Sequence, residues 1–185
     1  MVRPIYLYGS EVLRKVAEDA DLSKKEDIQA LLKDLWETLA VSEGCGLAAP
    51  QIGVSSRVVV VDGDVMADIY PYLKGFRRAL VNPVIVEASR EKNTYNEGCL
   101  SVPGVYCDVL RPEKVKVSYY DENLEPREEE FDKFAARMVQ HEMSHLDGVI
   151  FTDLVAPIRK KLVNSKLQRI ANGKISTRYK SKITR

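Results

Sequence analysis

Between residues 26 and 39 the apolar positions recur at intervals of three and four. Ile28, Leu31, Leu32, Leu35, Trp36 and Leu39 form one stripe, the 3.6-residue period of a helix with one face buried. Ser23, with Glu26 three positions later, predicts a capping box at its start, and the stripe stops near Ser42–Gly44. The pattern then changes. Arg57–Asp62 (RVVVVD) reads as a strand, and Ala79–Ala88 (ALVNPVIVEA) as a second one with a turn or bulge at Asn82-Pro83. The polar, tyrosine-bearing residues 63–79 between them read as a long loop, and Ser89–Asn96 as a polar connection. Val115–Tyr120 alternates and predicts a sheet strand, with Asp121-Glu122-Asn123 turning it toward a short return strand around Glu125–Glu130.

Helical spacing returns over Phe131–Gly148. Phe134, Met138, His141 and His145 share a stripe, with Phe131 and Ala135 beside it, and no proline interrupts the run. Asp132 is placed to cap the start and Gly148 to end it in a left-handed conformation. Residues 149–154 read as a brief extended piece. Pro157 bounds a C-terminal helix over Arg159–Ala171, given a modest apolar side by Ile158, Leu162, Leu167 and Ile170. The last dozen residues read as frayed, and residues 1–22 as irregular with a short turn or helix.

Composition narrows the class. A chain of 185 residues that is 45% hydrophobic fits one catalytic-sized domain, read as 1–171 followed by a basic tail, 172–185. Apolar runs fall far short of a membrane span, and the N-terminus has no continuous apolar stretch of the signal-peptide kind. Three cysteines, an odd and scattered set, predict a reduced, cytoplasmic protein. The net charge of +1 hides an asymmetry. Residues 154–185 hold ten Lys/Arg and no acid, leaving 18 basic against 27 acidic residues in the body. Such a tail suits either an RNA-facing surface or a solvated end.

The chemistry concentrates in the second helix. Its two histidines, His141 and His145, are the only ones in the chain, and with Glu142 they spell H-E-x-x-H. At i, i+4 both imidazoles face one way, the spacing that grips a divalent metal ion. A hydrolytic site of this kind takes a third protein ligand and keeps one position open. Cys99 is the best candidate, between turns marked by Glu97-Gly98 and Pro103-Gly104; Cys107, Cys45, Glu97 and Asp147 are alternatives on chemistry alone.

Three separated stretches, Gly44–Gln51 (GCGLAAPQ), Glu97–Ser101 (EGCLS) and Gln140–Gly148 (QHEMSHLDG), resemble the motifs of peptide deformylases in order and spacing, and the likeness extends over roughly residues 1–170. The resemblance implies Cys99, His141 and His145 as metal ligands and Glu142 as general base and then acid. It implies the Gln51 amide and the Leu100 backbone N–H as donors to the developing oxyanion. It implies Gly46 as a backbone contact to an extended substrate, and Cys45, Phe134 and Met138 as lining of a methionine pocket. Glu97 and Arg111 would pair and brace the cysteine loop. The implied reaction removes the formyl group from the N-terminal formylmethionine of nascent polypeptides. The implied ion is Fe2+, with Ni2+, Co2+ or Zn2+ able to replace it, and the implied partner is the ribosome, through the basic C-terminal segment. Three positions depart from the usual pattern. Arg137 stands where an apolar residue is common, Ser144 where aspartate is common, and Tyr106 where some members carry arginine.

Three other functions compete: an H-E-x-x-H metallopeptidase cutting internal amides, a cysteine hydrolase with Cys99 as nucleophile, and a catalytically silent metal- or ribosome-binding module. Intact Glu142, Gln51 and Cys99 favour an enzyme. The expected fold is α+β and monomeric: small, mostly antiparallel sheets wrapped around a central metal-binding helix, with an N-terminal helix and a C-terminal helix.

Overall fold

A computed structural model describes residues 1–184. After a short β1 (Ile5–Tyr6) and a single 3₁₀ turn at Glu11–Arg14, the first helix, α1, runs Lys25–Ser42. Its stripe is buried at Ile28, Leu32, Leu35 and Leu39. The expected capping box does not form: Ser23 bonds back to Asp21, and Lys24 stands at the N-cap without a side-chain bond. The helix ends as Glu43 turns left-handed, at φ 57°.

A five-stranded antiparallel sheet forms the centre. Its order is β2 (Gly46–Ala48), β3 (Val58–Asp62), β4 (Arg77–Ala88), β7 (Lys114–Tyr120) and β8 (Pro126–Asp132). The RVVVVD run is apolar throughout because β3 is buried on both faces. Val58 and Val60 join α1 in one core cluster, while Val59 and Val61 join the second helix in another. Each such side chain contributes about 2 kcal/mol on burial. The sheet's register slips between Val81 and Val84, with Asn82 at φ 50°, where Asn82-Pro83 predicts a bulge. Residues 63–76 are a loop stiffened by two 3₁₀ turns.

The second helix, α2, spans Lys133–Leu146, so Phe131 belongs to β8 instead. Asp132 sits at the N-cap but its side chain makes no capping bond; the Tyr72 hydroxyl accepts from the Phe134 N–H, 3.2 Å. Gly148 follows the helix at φ 70°. A third helix, α3, covers Pro157–Ala171 and buries Leu167 and Ile170, whereas Ile158 and Leu162 are 72% and 69% exposed, so the expected apolar side is only half used.

Three elements depart from the sequence reading. The polar connection and the stretch after it form a long hairpin, β5 (Lys92–Cys99) and β6 (Val102–Pro112). Pro103-Gly104 lies inside β6 and is not a turn; the turn is Leu100-Ser101, across which Cys99 pairs with Val102. The tail is not frayed through residue 184. Ser181–Lys182 form β9, which pairs in parallel with β1, and residues 175–183 alternate half-buried and exposed like a strand. Residues 151–153 form a 3₁₀ turn, not an extended piece.

Candidate metal centre

The sheet holds α2 against β2 and β3 by Ala135, Met138, Val139 and Leu146. That packing puts His141, Glu142 and His145 on its inner side, 8%, 5% and 1% exposed. The tip of the β5–β6 hairpin comes down on the same side and delivers Cys99. Its Sγ lies 3.3 Å from His145 Nε2, and single donor atoms of Cys99, His141 and His145 all fall within 4.8 Å of one another. Of the other third-ligand candidates, Cys45 stays outside the cluster and three are engaged elsewhere. Cys107 is buried in the core, Asp147 pairs with Arg57 at 2.9 Å, and Glu97 turns its carboxylate to His141.

A thiolate and two imidazoles at this separation fit a borderline divalent ion. The surroundings fit as well. Burial, and then the charge expected on His141, hold His145 well below its ordinary pKa, so its ring is the neutral form that can donate a lone pair. Burial opposes a charge on His141, yet Cys99 and Glu97 overcome this and raise it to about 10: the place attracts positive charge. The buried Nδ1 of His145 has no hydrogen-bond partner among the described residues.

Glu97 organises the wall behind the centre. It is 5% exposed and takes four bonds: Arg111 Nε at 2.7 Å and Nη2 at 3.0 Å, Arg137 Nη1 at 2.8 Å, and His141 Nδ1 at 2.8 Å. Burial alone would raise its carboxyl, but the bonds from His141 and Arg111 hold it far below the usual range. Its contact with Nδ1 leaves the other nitrogen of His141 for a metal, as such carboxylate–imidazole pairs do. Ser144, the aspartate-to-serine departure, accepts from Arg111 Nη1 at 2.9 Å and donates to the Gln140 carbonyl at 2.8 Å. Arg137, the charge standing where an apolar residue is common, is a member of this wall as well. Only 3% exposed, it also donates to the Val109 carbonyl, 3.0 Å, and to the Asn93 carbonyl and Oδ1, 2.8 Å each.

Glu142 points into the same space. Burial pushes its carboxyl up to about 7, with His141 opposing, and its buried Oε2 has no partner among the described residues. β2 runs alongside: a Cβ on Gly46 would stand 2.4 Å from Glu142 Oε1, so only glycine admits the carboxylate here. Gln51 lies in the 3₁₀ turn Ala49–Ile52. Its Oε1 accepts from the Ala48 N–H at 2.8 Å, which turns Nε2 toward Ser101 Oγ, 3.1 Å, and Cys99 Sγ, 3.4 Å. Leu100 follows Cys99 in the hairpin turn. Cys45 is half-buried, and burial, with Glu142 next, raises its thiol to about 12, so it stays neutral. Met138 is buried; Phe134 is partly exposed and stacks on Tyr70, with ring centroids 4.8 Å apart. Tyr106, 68% exposed, lays its ring against Gly98, where a Cβ would meet it at 2.6 Å.

A helix carrying two imidazoles and a buried carboxylate, closed by a cysteine from a hairpin tip, defines a metal-dependent hydrolase with a single divalent-metal site. Residues 2–161 match the family model described as polypeptide deformylase, and the chain belongs to that family. It is 42% identical over 179 residues to a peptide deformylase of Pseudothermotoga lettingae, covering 97% of this chain and 98% of that protein. A peptide deformylase of Christiangramia forsetii is 38% identical over 187 residues, covering 97% and 95%. The crystal structure of peptide deformylase from Thermus thermophilus superposes with TM-score 0.83 at 36% identity, covering 94% of this chain and 99% of that one. That from Legionella pneumophila gives 0.81 at 36% identity, covering 94% and 98%.

Proposed function

We propose that this enzyme removes the formyl group from formylmethionine at the N-terminus of nascent polypeptides and releases formate. The observation that carries the proposal is the unpartnered Oε2 of Glu142 beside the Cys99–His141–His145 triangle, with the Gln51 amide nitrogen 3.4 Å from Cys99 Sγ. Held by those three ligands, a divalent cation would supply the Lewis acidity that activates water and polarises the formyl carbonyl. Glu142, near the neutral range, takes a proton from water at Oε2 and later returns it to the leaving amine. As negative charge grows on the carbonyl oxygen, Gln51 Nε2 and the Leu100 N–H donate to it. The backbone edge at Gly46 hydrogen-bonds an extended substrate, and Cys45, Phe134 and Met138 line the methionine side chain's place. The Glu97–Arg111 pair keeps the His141 ring and the hairpin tip in register.

Iron(II) is the ion assigned, with nickel(II), cobalt(II) or zinc(II) as replacements. The enzyme acts as a cytoplasmic monomer, folded as one catalytic unit that takes in the tail beyond residue 171 as well, since β9 pairs with β1. It works at the ribosome, docking through the basic C-terminal segment, where Lys160, Lys161, Lys166, Arg169 and Lys174 are all exposed. No helix among the described residues is long and apolar enough to cross a membrane. The test is anaerobic assay of the iron- or nickel-loaded protein on formyl-Met-Ala-Ser and on unformylated peptides. Formate release without internal cleavage is expected. Cleavage of internal amides with the formyl group left in place would overturn the proposal.

A further inference from the structure

The C-terminal residues that the sequence presents as a loose basic tail reach back to the metal centre. After α3 the chain runs extended past the hairpin tip. Ile175, Tyr179 and Ile183 face inward against the main core, while Arg178, Lys180 and Lys182 face solvent. Backbone bonds fasten it to the N-terminal segment: the Ile5 N–H to the Lys180 carbonyl at 2.8 Å, the Leu7 N–H to the Lys182 carbonyl at 2.9 Å, and the Glu11 N–H to the Thr184 carbonyl at 3.3 Å. The Thr184 N–H donates to Ser10 Oγ, 3.2 Å. Together β1 and β9 make a two-stranded ribbon of N-terminal and C-terminal segments.

This segment touches the two turns that carry the proposed donors to the carbonyl oxygen. On one side the Tyr179 hydroxyl donates to the Leu100 carbonyl at 2.6 Å, and the Tyr8 N–H donates to the next carbonyl, Ser101, at 2.7 Å. Both carbonyls of the hairpin turn are therefore held from outside the hairpin, which fixes the Leu100–Ser101 and Ser101–Val102 peptide planes; the Leu100 N–H lies in the adjoining Cys99–Leu100 plane, one φ,ψ pair away, and takes its direction from this anchored turn. On the other side the Tyr6 ring lies under Gly53, where a Cβ would come within 2.4 Å of the ring, at the end of the 3₁₀ turn that carries Gln51.

We propose that Tyr179 is a positioning residue for the reaction: its hydroxyl fixes the Leu100-Ser101 turn, and through it the angle at which the Leu100 N–H meets the substrate's carbonyl oxygen. The inference rests on the deformylase reading only for what the N–H does; that Tyr179 orders the turn is a separate claim. A misdirected oxyanion donor costs rate more than binding, because its bond strengthens as charge develops. Loss of one such donor outright costs on the order of 100-fold, so loosening it should cost about 10-fold.

Tyr179→Phe keeps the ring in its packing place and removes only the hydroxyl. In the full chain at equal metal loading, it should lower kcat on formyl-Met-Ala-Ser about 10-fold with KM within about twofold. Hydrogen–deuterium exchange should rise in peptides spanning Cys99–Val102 and stay unchanged in peptides from α2. Unchanged exchange at the turn would overturn the proposal whatever the activity. So would faster exchange accompanied by unchanged kcat, or a rise in KM with kcat preserved. If the wild-type protein releases no formate, the deformylase reading fails, and the exchange comparison still decides whether Tyr179 holds the turn.

Discussion

At the scale of single residues, one carboxylate carries an unusual load. Glu97 is buried among Arg111, Arg137 and His141, so each guanidinium neutralises part of a charge that could not otherwise leave water. Arg137→Leu removes one partner but leaves Arg111 in two bonds with Glu97. It also strips donors from Val109 and Asn93. The expected cost is about 2 kcal/mol of unfolding free energy, read by urea denaturation, with the metal still bound. An unchanged midpoint would show that the guanidinium contributes nothing beyond its own desolvation. Most of the site is legible from residue types alone. The i, i+4 histidines need no tertiary knowledge to share a face, and Glu142 rides between them. What the residues do not tell is the choice among Cys99, Cys107, Cys45 and two carboxylates, because nothing local distinguishes a core cysteine from a ligand. Arg137 stands out in the sequence as a misplaced charge, but its partners do not, because they lie 28 to 44 positions away in the chain.

At the scale of elements, the long helices are legible and the hairpin is not. The stripe of α1 and the stripe of α2 each reflect a single buried face, which periodicity detects. The β5–β6 hairpin hides because its exposed row on β6 includes Tyr106 and Leu110, so the alternation with Val105, Cys107 and Val109 is one of burial and not of polarity. Its partner β5 is polar almost throughout. The tail reads as frayed because its inward residues, among them Thr177 and Ser181, include small and polar ones. Between elements, Asp153 in the 3₁₀ turn after α2 pairs with Arg14 in the N-terminal 3₁₀ turn and with Lys160 of α3 at 3.2 Å. Burial works against the carboxylate, but bonds from Arg14 and the Ile150 N–H outweigh it and lower its pKa. A carboxyl lowered on folding stabilises the fold above its unfolded value and loses that contribution as pH falls through its folded one. Unfolding free energy should therefore drop by about 0.5–1 kcal/mol, from this group, as pH falls below about 4. Asp153→Asn should lose that much at pH 7 and show a correspondingly shallower acid slope. An identical slope in the variant would contradict the assignment.

At the scale of the whole molecule, two charge regimes coexist: an acidic body that holds the metal site and a basic C-terminal segment whose charges face solvent. Because the tail is built into the ribbon, truncating it would disturb the site, so docking is better tested on α3. Replacing Lys161, Lys166 and Arg169 by glutamate, and leaving Lys160 to its pair with Asp153, should weaken ribosome binding. It should also flatten the log–log dependence of affinity on salt by roughly one unit of slope for each phosphate no longer neutralised, with peptide activity intact; binding unchanged in strength and slope would reject that surface. The α+β layout follows from requirements that meet in one place. A central helix must be buried on its metal side, the sheet must support it, and a hairpin must bring sulfur to it. In the proposed reaction Glu142 is the group that moves the proton, while Cys99, His141 and His145 only hold the ion. The most direct measurement is formate release by Glu142→Ala loaded with one equivalent of iron(II) or nickel(II) under anaerobic conditions. Full metal retention is expected, with kcat down by roughly 100- to 10,000-fold. A metal-loaded variant that releases formate at the wild-type rate would contradict it.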